Sequence, residues 1–188
     1  EIVAAVIALT AERGPDGVTT QAVADRVGIT QAAIFRHFPD KAALWMAVFD
    51  WAEQALGEAL APAFGSPDGP VATVEAVFLA HVDFVVRNPA VPRVLFHELQ
   101  HAAETPFRAR ARILVDRYRG RIEALLKRGK ESGELPPGLD EQAAAMLFVG
   151  TVQGLFMQTA LLRGERSMGA AARRLWPLLQ AAIGAARP

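Results

Sequence analysis

Apolar residues recur along this chain every three or four positions between Gly and Pro breaks, and short alternating β-branched runs are missing. Helices have a side-chain period of about 3.6 and strands a period of two, so this spacing predicts an all-α protein. Breaks at Gly14-Pro15-Asp16-Gly17, Gly28, Pro39-Asp40, Pro62 through Pro70, Asn88-Pro89, Pro92, Thr105-Pro106, Gly133 through Gly138 and Arg163-Gly164 divide it into about nine helices. The early ones are short and tightly punctuated, and the later ones are longer.

With 188 residues, 52% of them hydrophobic, the chain can bury a substantial core. A charged fraction of 21%, with 15 Gly and 12 Pro, excludes a disordered or collagen-like polymer. The 20 basic side chains balance 20 acidic ones, so no global field draws it to nucleic acid or to an anionic membrane, and any such binding must come from a local patch. The absence of cysteine removes disulfides, thiolate catalysis and cysteine zinc sites, and it fits a reducing cytosol. Beginning on Glu1 rather than Met, the sequence reads as a trimmed piece.

Residues 20–38 read TQAVADRVGITQAAIFRHF, two short helical patterns separated by a glycine. Two helices that cross closely need a small residue where they meet, a turn residue free to take positive φ, and apolar anchors beneath. Ala24 supplies the first, Gly28 the second, and Val23, Val27, Ile29 and Ile34 the third. Thr19 or Thr20 stands where an N-cap belongs before the first helix and Thr30 before the second, while Pro39 stops the second and Asp40 caps the next. With its flanks, IVAAVIALTAERGPDGVTTQAVADRVGITQAAIFRHFPDKAALWMAVF, from Ile2 to Phe49, resembles the DNA-binding domain of the TetR family of transcriptional regulators. The likeness rests on Ala11-Glu12-Arg13-Gly14, Thr19-Thr20, Val23-Ala24, Val27-Gly28-Ile29-Thr30, Phe35, His37-Phe38 and Lys41-Ala42-Ala43-Leu44. Leu9-Thr10 departs from it, where the family usually has an aromatic, and so does Phe35, where it has a tyrosine.

The resemblance implies that residues 30–38 form a recognition helix for the major groove. Gln31 can pair bidentately with adenine and Arg36 with guanine, while Ala32 and Ala33 allow close approach or meet a thymine methyl. Thr19, Thr20, His37 and Lys41 stand at helix starts or at the edge of that surface, where phosphates are gripped, and Thr30 is a further DNA-binding candidate at the start of the recognition helix. From residue 1 to 50, however, Arg13, Arg26, Arg36 and Lys41 face six acids, Glu1, Glu12, Asp16, Asp25, Asp40 and Asp50. DNA binding therefore requires positive charge to be concentrated on the groove-facing side, and a basic arm ahead of Glu1 would add to it.

Downstream, Val74, Val77, Phe78, Val82, Phe84 and Val85 form an apolar arc with His81 in its middle. Such a histidine is either satisfied by a core neighbour or one of few polar groups orienting an apolar guest. Residues 107–131 hold nine bases against Asp116, Glu123 and Glu131. Because Ala111, Leu114, Tyr118, Ile122 and Leu125 form one stripe flanked by the arginines, this reads as an amphipathic helix rather than a nucleic-acid patch, with Tyr118 as a ligand contact. His97-Glu98-Leu99-Gln100-His101 matches the zinc motif H-E-x-x-H, but its histidines project away from the apolar side and no third ligand follows. A zinc-dependent hydrolase is thus the alternative reading; the preferred one has no metal, no cofactor and no enzymatic activity.

Residues 143–162 carry no charge and contain Gly150-x-x-x-Gly154. Polar Thr151, Gln153, Gln158 and Thr159 are spread around this helix, so it reads as one covered on every side, between the ligand-binding core and a partner subunit, rather than as a membrane span. The last helix, from Met168 to Ala186, should join it in a four-helix dimer bundle, as the resemblance implies. The sequence thus predicts a cytoplasmic homodimer that binds an operator in double-stranded DNA and responds to a small, largely apolar effector. Residues 1–48 form its three-helix DNA-binding domain and residues 49–188 its ligand-binding and dimerisation domain. Candidate effector contacts are Phe78, His81, Phe84, Phe96, Leu99, Tyr118, Gln153 and Met157, and the helix from Asp40 to Ala61 is the expected lever.

Overall fold

The structure, a computed structural model, describes residues 1–100, 104–162 and 168–185. The break expected at Arg163-Gly164 and the expected end of the last helix at Ala186 lie outside these residues. Among the described residues there are nine α-helices and no strand. They are α1 (Ile2–Arg13), α2 (Thr20–Val27), α3 (Gln31–His37), α4 (Lys41–Phe64), α5 (Pro70–Arg87), α6 (Ala90–Glu98), α7 (Pro106–Glu131), α8 (Glu141–Leu161) and α9 (Met168–Ala182), with a 3-10 turn at Pro15–Gly17. Two prolines read as breaks lie inside helices instead. Pro62 falls near the end of α4, which stops two residues later. Pro92 falls in the first turn of α6, where its missing N–H would have no intrahelical partner anyway.

The described residues group into two compact units. The first comprises residues 1–56 and 88–113. Its core brings together Val6, Leu9, Val23, Ala24, Ile34 and Leu44. Val6 and Val23 are fully buried, and each such side chain contributes about 1.5–3 kcal/mol. Thr10, also fully buried, satisfies its hydroxyl by donating to the Val6 carbonyl at 2.8 Å. Helix α6 belongs to this unit, packing on α1 and the 3-10 turn. Arg93 donates to the Ala11 carbonyl, and His97 Nε2 lies 2.9 Å from Asp16 Oδ1. Phe49 of α4 meets Phe107 of α7 edge-on at 4.9 Å.

The second unit comprises residues 57–87 and the described residues from 114 on, with α5 packed against α8 and α9. Phe78 is its centre, edge-on to Phe148 at 5.6 Å and tilted against Trp176 at 5.9 Å. Polar side chains close the helix ends. The Glu134 carboxylate accepts from the Val71 amide in the first turn of α5, and Asp140 Oδ1 accepts from the Gln142 and Ala143 amides at the start of α8. Lys130 Nζ donates both to the Leu139 carbonyl and to Glu141, a hydrogen bond that holds the Glu141 carboxyl below its usual pKa.

Helix α7 buries Ala111, Tyr118, Ile122 and Leu125. Several of its arginines are held by the chain itself. Arg110 reaches Glu53 at 3.0 Å and Asp50 at 3.3 Å, Arg112 reaches both oxygens of Glu104 at 3.0 Å, and Arg121 lies 3.6 Å over the Phe64 ring. These contacts fit an amphipathic helix rather than a free basic patch.

Candidate nucleic-acid interface

Local capping sets out the helix-turn-helix. Thr19 is extended (φ −107°, ψ 153°), and its Oγ1 accepts from the Ala22 amide at 3.0 Å. Gly28 takes the left-handed conformation (φ 79°, ψ 33°) that ends α2 and that other residues adopt only with strain. Thr30 repeats the cap, accepting from the Ala33 amide at 3.2 Å, and Asp40 accepts from the Ala43 amide at 2.7 Å where α4 begins.

Only Ile34 of α3 is buried, at 1% exposure, and this single anchor turns the opposite face outward. That face presents Gln31, Ala32, Phe35 and Arg36 to solvent. Thr19, Thr30, His37 and Lys41 are exposed as well, and Thr20 is half-buried. Thr20 and Gln31 meet directly, with Gln31 Nε2 donating to Thr20 Oγ1 at 2.5 Å. Phe35, 45% exposed, is a surface residue that sequence reasoning counted in the family likeness, as a departure from its tyrosine, but did not name as a DNA contact. Its position one turn after Gln31 could have found it, since i and i+4 share a helix face.

Charge pairing adds selectivity to this otherwise acidic segment. Arg26 is gripped bidentately by Glu12, at 3.0 and 2.7 Å, which raises the Arg26 pKa and lowers that of the Glu12 carboxyl. Gln21 similarly occupies Asp25 at 2.7 Å. Arg13, Arg36 and Lys41 make no ion pair among the described residues, so two of the three cations of this segment left for an outside partner lie near the end of α3 and just beyond it. A solvated guanidinium beside an exposed carboxamide on one short helix can make hydrogen bonds to base edges, and ammonium and hydroxyls around it can hold phosphates.

In the second unit, His81 Nδ1 and the Tyr118 hydroxyl share a hydrogen bond of 3.0 Å. Tyr118 stands edge-on to Phe64 and to Phe148, so the polar pair is enclosed by rings. Burial pushes the imidazole pKa down from 6.5 to about 4 and pushes the phenol up, so both are uncharged at neutral pH. Phe78 and Phe84 are buried in the same unit, and Gln153 is half-buried on α8. The other candidate effector contacts are placed elsewhere. Phe96 and Leu99 belong to the first unit, with Leu99 52% exposed. Met157, 41% exposed, lies on the side of α8 opposite Ala145, Phe148 and Val152, which are buried in the core.

The zinc alternative finds no support in these contacts. His97 is engaged with Asp16, Glu98 accepts from the Thr105 hydroxyl that caps α7, and His101 lies outside the described residues. Among the described residues no three His, Asp or Glu side chains come together as a metal site.

Residues 2–48 match the family of bacterial regulatory proteins described as tetR, and residues 97–175 match the tetracyclin repressor-like C-terminal domain. The chain belongs to the TetR family of transcriptional regulators. It is therefore a DNA-binding regulator and not an enzyme, as a TetR-family member. Among its relatives is the nucleoid occlusion factor SlmA of Vibrio cholerae, 28% identical over 148 residues, which cover 78% of this chain and 74% of that one. The TetR-family regulator PfmR of Thermus thermophilus shares the fold with a TM-score of 0.81 at 20% identity, over 100% of both chains. FadR of Bacillus subtilis, solved in complex with stearoyl-CoA, does so with a TM-score of 0.80 at 18% identity, over 95% of each.

Proposed function

We propose that this TetR-family chain is a cytoplasmic, homodimeric repressor that binds a palindromic operator and is released by a small, largely apolar effector. The observation that carries this reading is the outward face of α3, where Gln31, Ala32, Phe35 and Arg36 stand together in solvent. One such helix reads a half-site, and a two-fold pair reads a palindrome with far greater affinity. Residues 1–48 carry that contact, with Thr19, Thr20, Thr30, His37 and Lys41 at its phosphate edges.

The dimer reading rests on α8, the one described helix long and apolar enough to cross a membrane by length and composition. One side of it is buried against α5 and α9, and the other exposes Met146, Leu147, Gly150, Met157 and Leu161 without a charge. A side chain added at Gly150 or Gly154 would meet nothing, so this chain itself does not cover the stripe there. Leu178 on α9 is exposed in the same way, at 62%. Two copies joining α8 and α9 would remove this surface from water, which accounts for it without a bilayer.

Within residues 49–188, the uncharged His81–Tyr118 pair among Phe64, Phe78 and Phe148 suits a guest that is mostly apolar with one hydrogen-bonding group. Support comes from FadR, whose bound stearoyl-CoA has a long apolar chain. Occupancy would act as a population shift, favouring a separation of the recognition helices that no longer fits successive grooves. Helix α4 contributes residues to both units and is the means of transmission, while α6, within the first unit, is tied to α1 through Arg93 and to the 3-10 turn through His97.

The test is selection of binding sites from random duplex DNA with the purified chain, followed by titration of the enriched site. The wild type should enrich an inverted repeat, and a Gln31→Ala, Arg36→Ala variant should lose sequence preference while keeping its helicity and oligomeric state. Unchanged preference in that variant would remove α3 as the reading element.

A further inference from the structure

Reading the operator through α3 leaves open what the hydrogen bond between Thr20 and Gln31 does, since both side chains point into the surface assigned to DNA. Thr20 opens α2 and Gln31 opens α3, eleven residues later, and the 2.5 Å bond from Gln31 Nε2 to Thr20 Oγ1 spans the two helices. Their register is rigid, because Val23, Ala24 and Ile34 are buried together in one core and Gly28 sets the turn between the helices.

A carboxamide has one carbonyl oxygen and two N–H groups. Pairing with adenine in the major groove uses the oxygen, which accepts from the N6 amino group, and the N–H on the same side, which donates to N7. The remaining N–H points away from the base edge, and it is the hydrogen available to Thr20. With the amide nitrogen turned towards α2, the oxygen faces outward. Guanine presents two acceptors, N7 and O6, at the same place, so that oxygen would oppose O6 without a hydrogen between them.

We infer that Thr20 is a positioning residue that holds the Gln31 carboxamide in the orientation that accepts adenine and refuses guanine. The inference rests on the DNA-reading function proposed above and adds a specificity role to a threonine otherwise expected only to touch phosphate. The two roles are compatible. A hydroxyl that accepts from Gln31 keeps its own hydrogen for a phosphate oxygen.

The experiment compares site selections, from random duplex DNA, by the full chain and its variants. Gln31→Ala should abolish an adenine preference at one position of each half-site, where a bidentate pair gives roughly 5–150-fold discrimination. Thr20→Val keeps the shape but removes the acceptor, and should weaken the adenine-to-guanine preference at that same position by about threefold or more of this range. Thr20→Ser should restore it, and in a Gln31→Ala background Thr20→Val should leave the base preference at that position unchanged, any loss from the missing phosphate contact falling equally on all sequences. Thr20→Ala, with less bulk beside α3, repeats the comparison if the valine variant melts early. If Thr20→Val and Thr20→Ala lower affinity equally for all sequences, Thr20 is a phosphate contact alone and the inference is overturned. If the wild type enriches no motif, the DNA-reading function fails first and the inference falls with it.

Discussion

His81 and Tyr118 stand 3.0 Å apart as a neutral hydrogen-bonded pair joining α5 to α7 among aromatic rings. The imidazole has a folded-state pKa of about 4, below its ordinary 6.5, so acidification between these values protonates the unfolded chain before the folded one. Stability from this group is complete above about pH 6.5 and is lost as pH falls through 4, by about 3 kcal/mol. Urea unfolding at pH 7 and pH 5 should show this decline in the wild type and a smaller one in His81→Phe. Equal declines would mean that other groups carry it. The Tyr118 phenol has the opposite sign, because its raised pKa makes the folded state lose stability as pH rises above 10.

Arg36 and Lys41 should separate when mutated singly. Arg36→Ala removes a base contact and should flatten the preference at one operator position, costing about 1–3 kcal/mol there. Lys41→Ala should weaken specific and non-specific DNA alike and reduce the slope of log affinity against log salt by about one. Anisotropy titrations at several salt concentrations distinguish the two behaviours.

The stripe on α8 makes a prediction about assembly. Met146 is 58% exposed and Leu161 74%, so neither Met146→Glu nor Leu161→Arg disturbs this chain's own core. Each should convert a dimer to a monomer in sedimentation equilibrium while leaving helicity unchanged. A chain whose mass in solution ignores both substitutions does not associate through α8.

Phe35 offers a large apolar contact to the groove. If it meets a thymine methyl, replacing that thymine with uracil should weaken binding by the wild type about two- to tenfold, since one buried methyl is worth roughly 1 kcal/mol. Phe35→Ala should bind more weakly and be indifferent to the same replacement. Sensitivity to uracil that survives in Phe35→Ala would assign the methyl contact to Ala32 instead.

What could be read from the chain in advance was local. The caps at Thr19 and Thr30 and the left-handed turn at Gly28 depend on residues three or four apart, and the burial of α5 and α7 follows a period that a helix imposes on any sequence. Exposure of Gln31 and Arg36 follows from the same arithmetic once Ile34 is the buried anchor. Helix α8 was different. An uncharged helix, apolar on nearly every side, has no polar face to say which way it turns, so Met157 was as good a core residue as Phe148 until α5 and α9 covered one side and left the other bare.

Pairings across the fold were equally out of reach. Glu12 with Arg26, Ala11 with Arg93 and Thr20 with Gln31 join residues that sequence spacing does not relate. Helix identity and its ends are properties of a few consecutive residues, and so they belong to this sequence by itself. Which side chain restrains which, and therefore which cation and which amide remain for DNA, depends on how separate helices cross, and that was decided only when the core closed around Val23, Ala24 and Ile34.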